Sequence, residues 1–274
     1  MIRTITKRSA SGPNVRLAKA LFIILSIGVA AVSKAAAHQT FLLPAAFQVK
    51  AGSGVDISLT SALAFPNREH GPAVDRIAFS KVIVGNNALD DVTFSEGETA
   101  LILSFHTEQS GLAMIAVSSK PRGGEIPPED VDVYLDEIEA PESVRAAFHA
   151  LPDSPALNRS YSKHAKTFIC IELCGGGKEA ESPAGQKIDF VAVDTTQKTF
   201  RLLYDGKPLQ RKSVTIAPAT GETSTIVTND AGEFQPDEAL SGIVMLAAVV
   251  LTLPETPDGV YHSDYATLTI NLSQ

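Results

Sequence analysis

Two cysteines and six histidines are the soft donors of this chain, and one histidine stands at a chemically special place. In Ala35-Ala36-Ala37-His38-Gln39-Thr40-Phe41-Leu42-Leu43-Pro44, small residues lie one and three positions before His38, the pattern a signal peptidase requires. Cleavage there leaves a terminal histidine whose free amine and imidazole nitrogen can chelate one ion together. Ser33 and Ala35 allow the other cut, before Ala36. His38 would then be the third residue, able to wrap amine, two deprotonated amides and imidazole around Cu(II) or Ni(II) in the square-planar geometry these ions favour. Either cut predicts a metal-binding chain end.

Further ligands could complete the site. His106 has Glu108 two residues on at a strand end, where both side chains can share a face, and His262 has Asp264 at the same spacing before the last strand. Transition metals accept imidazole together with carboxylate or water. His38, His106, His262 and Asp264 are therefore the candidate ligands, and a divalent nickel, cobalt or copper ion is the expected cargo. His70 follows Glu69 in a loop rich in proline and glycine and reads as solvated, while His149 and His164 read as structural.

The cysteines leave three alternatives open. Cys170 and Cys174 are too far apart along a strand to bond unless the chain turns between them, as glycines 175 to 177 could allow. A disulfide, a thiolate metal pair and two free buried thiols all satisfy the sequence.

Enzyme signatures are missing. The chain has no Gly-x-Ser-x-Gly elbow, no His-Glu-x-x-His helix and no Cys-x-x-Cys pair. Gly175-Gly176-Gly177-Lys178 lacks the leading glycine and the trailing Ser/Thr of a phosphate loop, so it reads as a flexible turn. A non-enzymatic protein is expected.

What positions the donors begins with export. Arg3, Lys7, Arg8, Arg16 and Lys19 precede the apolar run 20–32, which is shorter than the roughly 20 residues a bilayer span needs but suits a signal-peptide core. Residues 1–37 are read as that signal, and the run 243–253 is far too short to cross a membrane. The product is expected to be soluble. Loss of 1–37 removes six of the 23 basic residues and no acidic ones, leaving 17 against 31, a net charge of −14. Such a surface repels nucleic acid and anionic membranes and weakly attracts cations.

The rest alternates as a β protein does. Val55, Ile57 and Leu59 alternate with polar residues, and further apolar runs at 77–79, 81–84, 99–105 and 111–118 are separated by turn residues. After the proline and glycine break at 121–128, Val131, Tyr134, Leu135 and Ile138 fall at helical spacing, and Pro141-Glu142 opens a second short helix ending near Leu151. Strands follow at 167–173, 188–193, 199–204 and 213–217, with tight turns at Asp205-Gly206 and 229–232. The run 243–253 reads as a strand covered on both faces, and in the last strand Ala266, Leu268, Ile270 and Leu272 are expected to face in and Thr267, Thr269 and Asn271 out. The expected architecture is mainly β with two β-sandwich-like units. The first is an N-terminal unit, 38–186, with a helical insert at about 127–151; the second, 187–274, is an immunoglobulin-like sandwich.

Six segments in order carry a resemblance over nearly the whole mature chain. They are the Ala37-His38 start, Val133-Tyr134-Leu135-Asp136-Glu137, the Tyr161 to Lys166 strand entry, the hairpin from Leu203 to Leu209, the turn from Asn229 to Phe234, and the final strand from Ser263 to Thr269. The set resembles a periplasmic family of unknown function labelled nickel-uptake or NikM-like and grouped with periplasmic components of cobalt and nickel transport systems. The resemblance implies a periplasmic, β-rich accessory or binding protein for a transition metal, working with a membrane metal-transport system, with the family's terminal histidine at His38. The chain departs from the pattern at Leu63, where a histidine is expected, and at Tyr261 to Tyr265, where a tryptophan is expected. The alternative expectation is an envelope interaction or structural module, immunoglobulin-like in its second half and free of metal.

Overall fold

The computed structural model describes residues 38–174, 177–194 and 198–273. The expected signal peptide at 1–37 lies outside the described residues. The first half runs through β1 (Gln39–Pro44), β2 (Gln48–Val49), β3 (Gly54–Ala62), β4 (Ile77–Val84), β5 (Asn87–Ala88), β6 (Val92–Glu96) and β7 (Leu101–His106). β8 (Gly111–Ser119) and β9 (Arg122–Ile126) lead into two short helices, α1 (Val131–Glu137) and α2 (Glu142–His149). Next come β10 (Leu157–Ile171), the single turn α3 (Lys178–Glu181), β11 (Ile188–Asp194), β12 (Thr199–Tyr204) and β13 (Lys207–Pro208). The chain closes with β14 (Ser213–Pro218), β15 (Ser224–Val227), β16 (Glu233–Phe234), β17 (Ile243–Thr252) and β18 (Tyr261–Asn271).

The protein is mainly β, and the layers are built around one ten-stranded sheet. Its order is β15-β14-β17-β18-β10-β8-β4-β5, with β2 and β9 also pairing with β10. A four-stranded sheet, β1-β3-β7-β6, packs on one face through Leu42, Val55, Ile57, Leu101 and Leu103 against Val82, Ile115, Ala165 and Ile169. The helical pair covers another part of that face, setting Tyr134, Leu135 and Phe148 against Val249, Tyr261 and Tyr265. The opposite face is covered by the sheet of β11, β12, β13 and β16, through Phe190, Phe200, Leu202 and Phe234. Burying this much apolar surface on both faces is the main force holding the layers together.

Residues 187–274 do form two packed sheets, but no sheet boundary falls at 186/187. β18 pairs with β10 in parallel from Arg159↔Tyr261 to Thr167↔Thr269, while β10 also pairs with β8, β9 and β2. The C-terminal sandwich and the N-terminal unit therefore share a sheet. The expected outward-facing Thr267 and Thr269 are buried for the same reason: β18 lies in the interior of that sheet with a layer on each side, and Thr267 Oγ1 donates to Thr40 O at 2.7 Å.

The strand β10 is longer than its sequence suggests. Only 167–173 reads as apolar, yet pairing starts at Leu157. Arg159, Tyr161 and Lys163 carry polar or aromatic groups because they line an opening between the layers, and His164 and Lys166 because they enter a buried polar network. The helical insert appears where expected, with Tyr134, Leu135 and Ile138 buried.

Candidate metal centre

His38 stands immediately before β1, and β1 pairs with β3 from Gln39↔Ala62 to Pro44↔Ile57. Thr40 Oγ1 and Ser61 Oγ share a hydrogen bond of 2.7 Å across this pair. The chain then leaves β3 through Leu63 and loops back, so that His70 forms a two-bond bridge with Ser61: Ser61 N donates to His70 O at 2.8 Å and His70 N to Ser61 O at 3.1 Å. Gly71 allows this return. A Cβ there would collide with the backbone of Ala100 and Leu101, so only glycine fits so close to the neighbouring strand.

The consequence is a cluster. His38, Glu69 and His70 each offer a donor atom, and all of these lie within 4.8 Å of one another. His38 Nε2 is 3.4 Å from Glu69 Oε2, and the two imidazole rings are 5.8 Å apart, centre to centre. Glu69 Oε2 is steadied by the amide of Leu63, which donates to it at 3.4 Å. An ion about 2.1 Å from each ligand keeps them roughly 3–4 Å apart, so small rotations of these side chains close the set. Two imidazoles and a carboxylate suit nickel, cobalt, copper or zinc better than hard cations. Leu63, where the resemblance expects a histidine, brings no ligand; His70, seven residues on, stands beside His38 instead.

The other expected ligands are elsewhere. His106 pairs with Gly54 at one end of β3, while Gln39 pairs with Ala62 at the other. Eight residues of strand, about 26 Å at ~3.3 Å each, separate the two ends. His106 keeps its predicted neighbour, with Nε2 3.2 Å from Glu108 Oε1, on an exposed surface.

His262 and Asp264 are separated from His38 by the central sheet itself. Side chains alternate along β18: Tyr261 and Tyr265 face the helices, whereas Ala266, Leu268 and Ile270 face the β11–β12 layer, and His262 and Asp264 belong to the second set. There Asp264 Oδ1 lies 3.2 Å from His164 Nε2 and 3.3 Å from His262 Nε2, and Tyr204 donates to Oδ2 at 3.1 Å. Burial alone would push the Asp264 carboxyl up, but the hydrogen bond from His164 and the charge of His262 hold it below the usual carboxylate range. His164 Nδ1 meets Ser118 Oγ at 2.8 Å. This serine-histidine-aspartate chain is buried throughout, and Gln186 Nε2 also donates to Ser118 Oγ at 3.2 Å, so its groups are occupied with one another. Next to it, Lys166 is buried against Asp189 at 2.9 Å, with burial pushing the Lys166 ammonium down.

His38 and His70 also stand at the rim of a cavity of about 730 Å³ between the N-terminal sheet, the central sheet and α1. Arg76, Arg122, Arg159 and Lys163 line it, with Glu137 as its one carboxylate among the described residues. Lys163 Nζ donates to His38 O at 3.1 Å and lies 3.8 Å from the centre of the Tyr265 ring. Burial lowers the Lys163 pKa to about 8, opposed by Glu137 and aided by Arg159. Tyr265 donates to Glu137 at 2.7 Å, and burial pushes its phenol up.

Cys170 and Cys174 form a disulfide with their Cα atoms 5.4 Å apart. The chain turns at Glu172, whose φ of +59° lies in the left-handed region, and that turn brings the sulfurs together. A thiolate metal pair and free thiols are thereby set aside.

Among known proteins, the family described as "Domain of unknown function (DUF4198)" matches residues 35–252. No curated protein matches the chain. Among solved structures it is similar to the D0-D1 domain of intimin, at 11% identity over 83% of this chain and 96% of that one, with a TM-score of 0.21. It is likewise similar to the Bacteroides ovatus mixed-linkage glucan utilization locus SGBP-B in complex with a heptasaccharide, at 12% identity over 82% and 44% of the two chains, TM-score 0.20. A chimeric titin Z1Z2 tandem aligns at 10% identity over 85% and 99%, TM-score 0.20. Scores this low carry no weight for function.

Proposed function

The chain belongs to the DUF4198 family, a domain of unknown function, and from that premise we propose that it is an exported periplasmic protein that binds a divalent transition metal and presents it to a membrane metal-transport system. The ion, nickel, cobalt or copper, is cargo. His38, Glu69 and His70 hold it, joined by the amine of residue 38 if cleavage falls just before His38. The convergence of these three donor groups within 4.8 Å is the observation that carries the reading. It is supported by the chemistry of the donor set, by donors that are partly exposed rather than tied into a buried network, and by a net charge that favours cations. The Cys170–Cys174 bridge suits an oxidising compartment and so supports export.

N-terminal sequencing of the exported product, followed by calorimetric nickel and copper titrations of wild type and His38→Ala, tests the proposal. Micromolar or tighter binding that falls at least tenfold in the variant is expected. A chain end remote from His38 together with binding indifferent to the substitution would sink it.

A second reading, an envelope module that docks a partner without metal, is favoured by one feature. The central sheet ends at β15 with Ser224, Thr225 and Val227 exposed along its open edge, a surface suited to strand pairing with another chain. Absence of His38-dependent metal binding would leave this reading standing.

A further inference from the structure

The cavity beside the metal centre has a charge opposite to that of the protein. Four cationic side chains, Arg76, Arg122, Arg159 and Lys163, face it with one carboxylate, Glu137, in a product that carries −14 overall. These cations are poorly neutralised. Among the described residues neither Arg122 nor Arg159 has a carboxylate within ion-pair distance, and the buried Nε of Arg159 has no hydrogen-bond partner. Arg76 reaches only carbonyls, donating to Lys120 O at 2.7 Å and Pro121 O at 3.3 Å. Glu137 is engaged by Tyr265. The guanidinium of Arg159 is held in place by stacking, 5.0 Å from the centre of the Tyr161 ring and 5.5 Å from that of Tyr134. An oriented guanidinium without an ion-pair partner, set over aromatic walls, is ready to donate hydrogen bonds to a carboxylate.

Size and position narrow the occupant. About 730 Å³ is the scale of a small-molecule pocket, and His38 and His70 stand on its rim. His38 and His70 line the same cavity as Arg122 and Arg159, so a molecule with several carboxylates seated on the arginines shares that space with an ion at the histidines. Three side-chain donors, or four with the amine of residue 38, leave positions open on a six-coordinate nickel or cobalt ion, and the oxygens of a polycarboxylate can take them. A second cavity, about 670 Å³ beside the disulfide, has Lys198 as its single charged wall residue among those described and offers no comparable anion site.

We propose that this cavity binds a small polycarboxylate and that the protein takes its metal as the carboxylate complex, the anion held by Arg122 and Arg159 and the ion by His38, Glu69 and His70. This rests on the metal reading above. No covalent step is involved: the anion and the ion bind together, and each raises the affinity for the other.

Citrate serves as the probe, in calorimetric titrations of the processed full-length product at fixed ionic strength. Citrate alone, nickel alone and preformed nickel–citrate are compared in wild type, Arg122→Gln and Arg159→Met. Arg122 is exposed and outside the core, so Arg122→Gln reports even if loss of the Arg159 stacking impairs folding. We expect citrate alone to bind wild type and to lose at least tenfold in either variant, nickel alone to be unchanged by them, and nickel–citrate to bind at least tenfold tighter than nickel alone. If citrate merely strips nickel from the protein, or binds the variants as well as wild type, the inference is overturned while the metal site survives. If nickel alone shows no binding dependent on His38, the metal reading fails, and the carried-complex inference with it.

Discussion

The two faces of the central sheet use the same residue types to opposite ends. On the face towards the β11–β12 layer, buried His164 and part-buried His262 are both bonded to buried Asp264, and buried Lys166 is bonded to buried Asp189. On the other face, His38 and His70 are exposed and line an open cavity, with the Glu69 carboxylate beside them. A buried imidazole must pair with its neighbours because an unpaired polar group away from water is costly, and once paired it has no lone pair left for an ion. At the rim water can satisfy the ring, which leaves it free for the ion proposed above. Whether a histidine is tied into the scaffold or left open to a ligand is decided here by which side of the central sheet it occupies.

The comparison can be broken most forcefully at Lys166. Replacing it with Met leaves the Asp189 carboxylate buried and uncompensated, a change worth about 3–5 kcal/mol. Urea unfolding should record that loss while nickel affinity, measured on the folded fraction, stays as in wild type. Gly71→Val tests the rim: the collision with Ala100 and Leu101 should cost about 1–3 kcal/mol and displace His70, lowering nickel affinity about tenfold, so here stability and binding fall together. The smallest effect concerns Asp264. Its carboxyl is depressed in the folded protein, so the stability it contributes is fully present above the ordinary carboxylate value of about 3.9 and is lost as pH falls through the lower folded value. Asp264→Asn should cost about 1 kcal/mol at neutral pH and flatten the fall in stability below about pH 3.9, as read from denaturant midpoints across pH.

Much of this was legible in the sequence, and the gaps have physical causes. The alternating strands of the N-terminal sheet, the two short helices and the covered strand β17 follow from periodicity and turn residues, because each buries its own apolar face. The first half of β10 and the start of β18 were not legible. Their side chains enter a polar network and a charged cavity, so period-two apolarity is absent although the backbone pairs fully. The parallel β10–β18 pairing joins residues about a hundred positions apart, and no local signal announces it. At the site, His38 stood out because the small residues before it fit an expected cleavage junction. Glu69 and His70 looked like solvated loop, because their approach to His38 depends on the Ser61 bridge and the tight return at Gly71. The pairing of His70 with a carboxylate and the adjoining glycine were the available signals. The pairs at His106 and His262 had equally good local spacing, but a strand's length and a sheet's thickness separate them from His38.

The decisive measurement is nickel calorimetry on the processed protein with His70→Ala and His262→Ala side by side. The account predicts at least a tenfold loss of affinity for His70→Ala, with unfolding midpoints near wild type, and unchanged affinity for His262→Ala. Nickel binding that survives loss of His70 and disappears with His262 would place the ion on the other face of the sheet and contradict it.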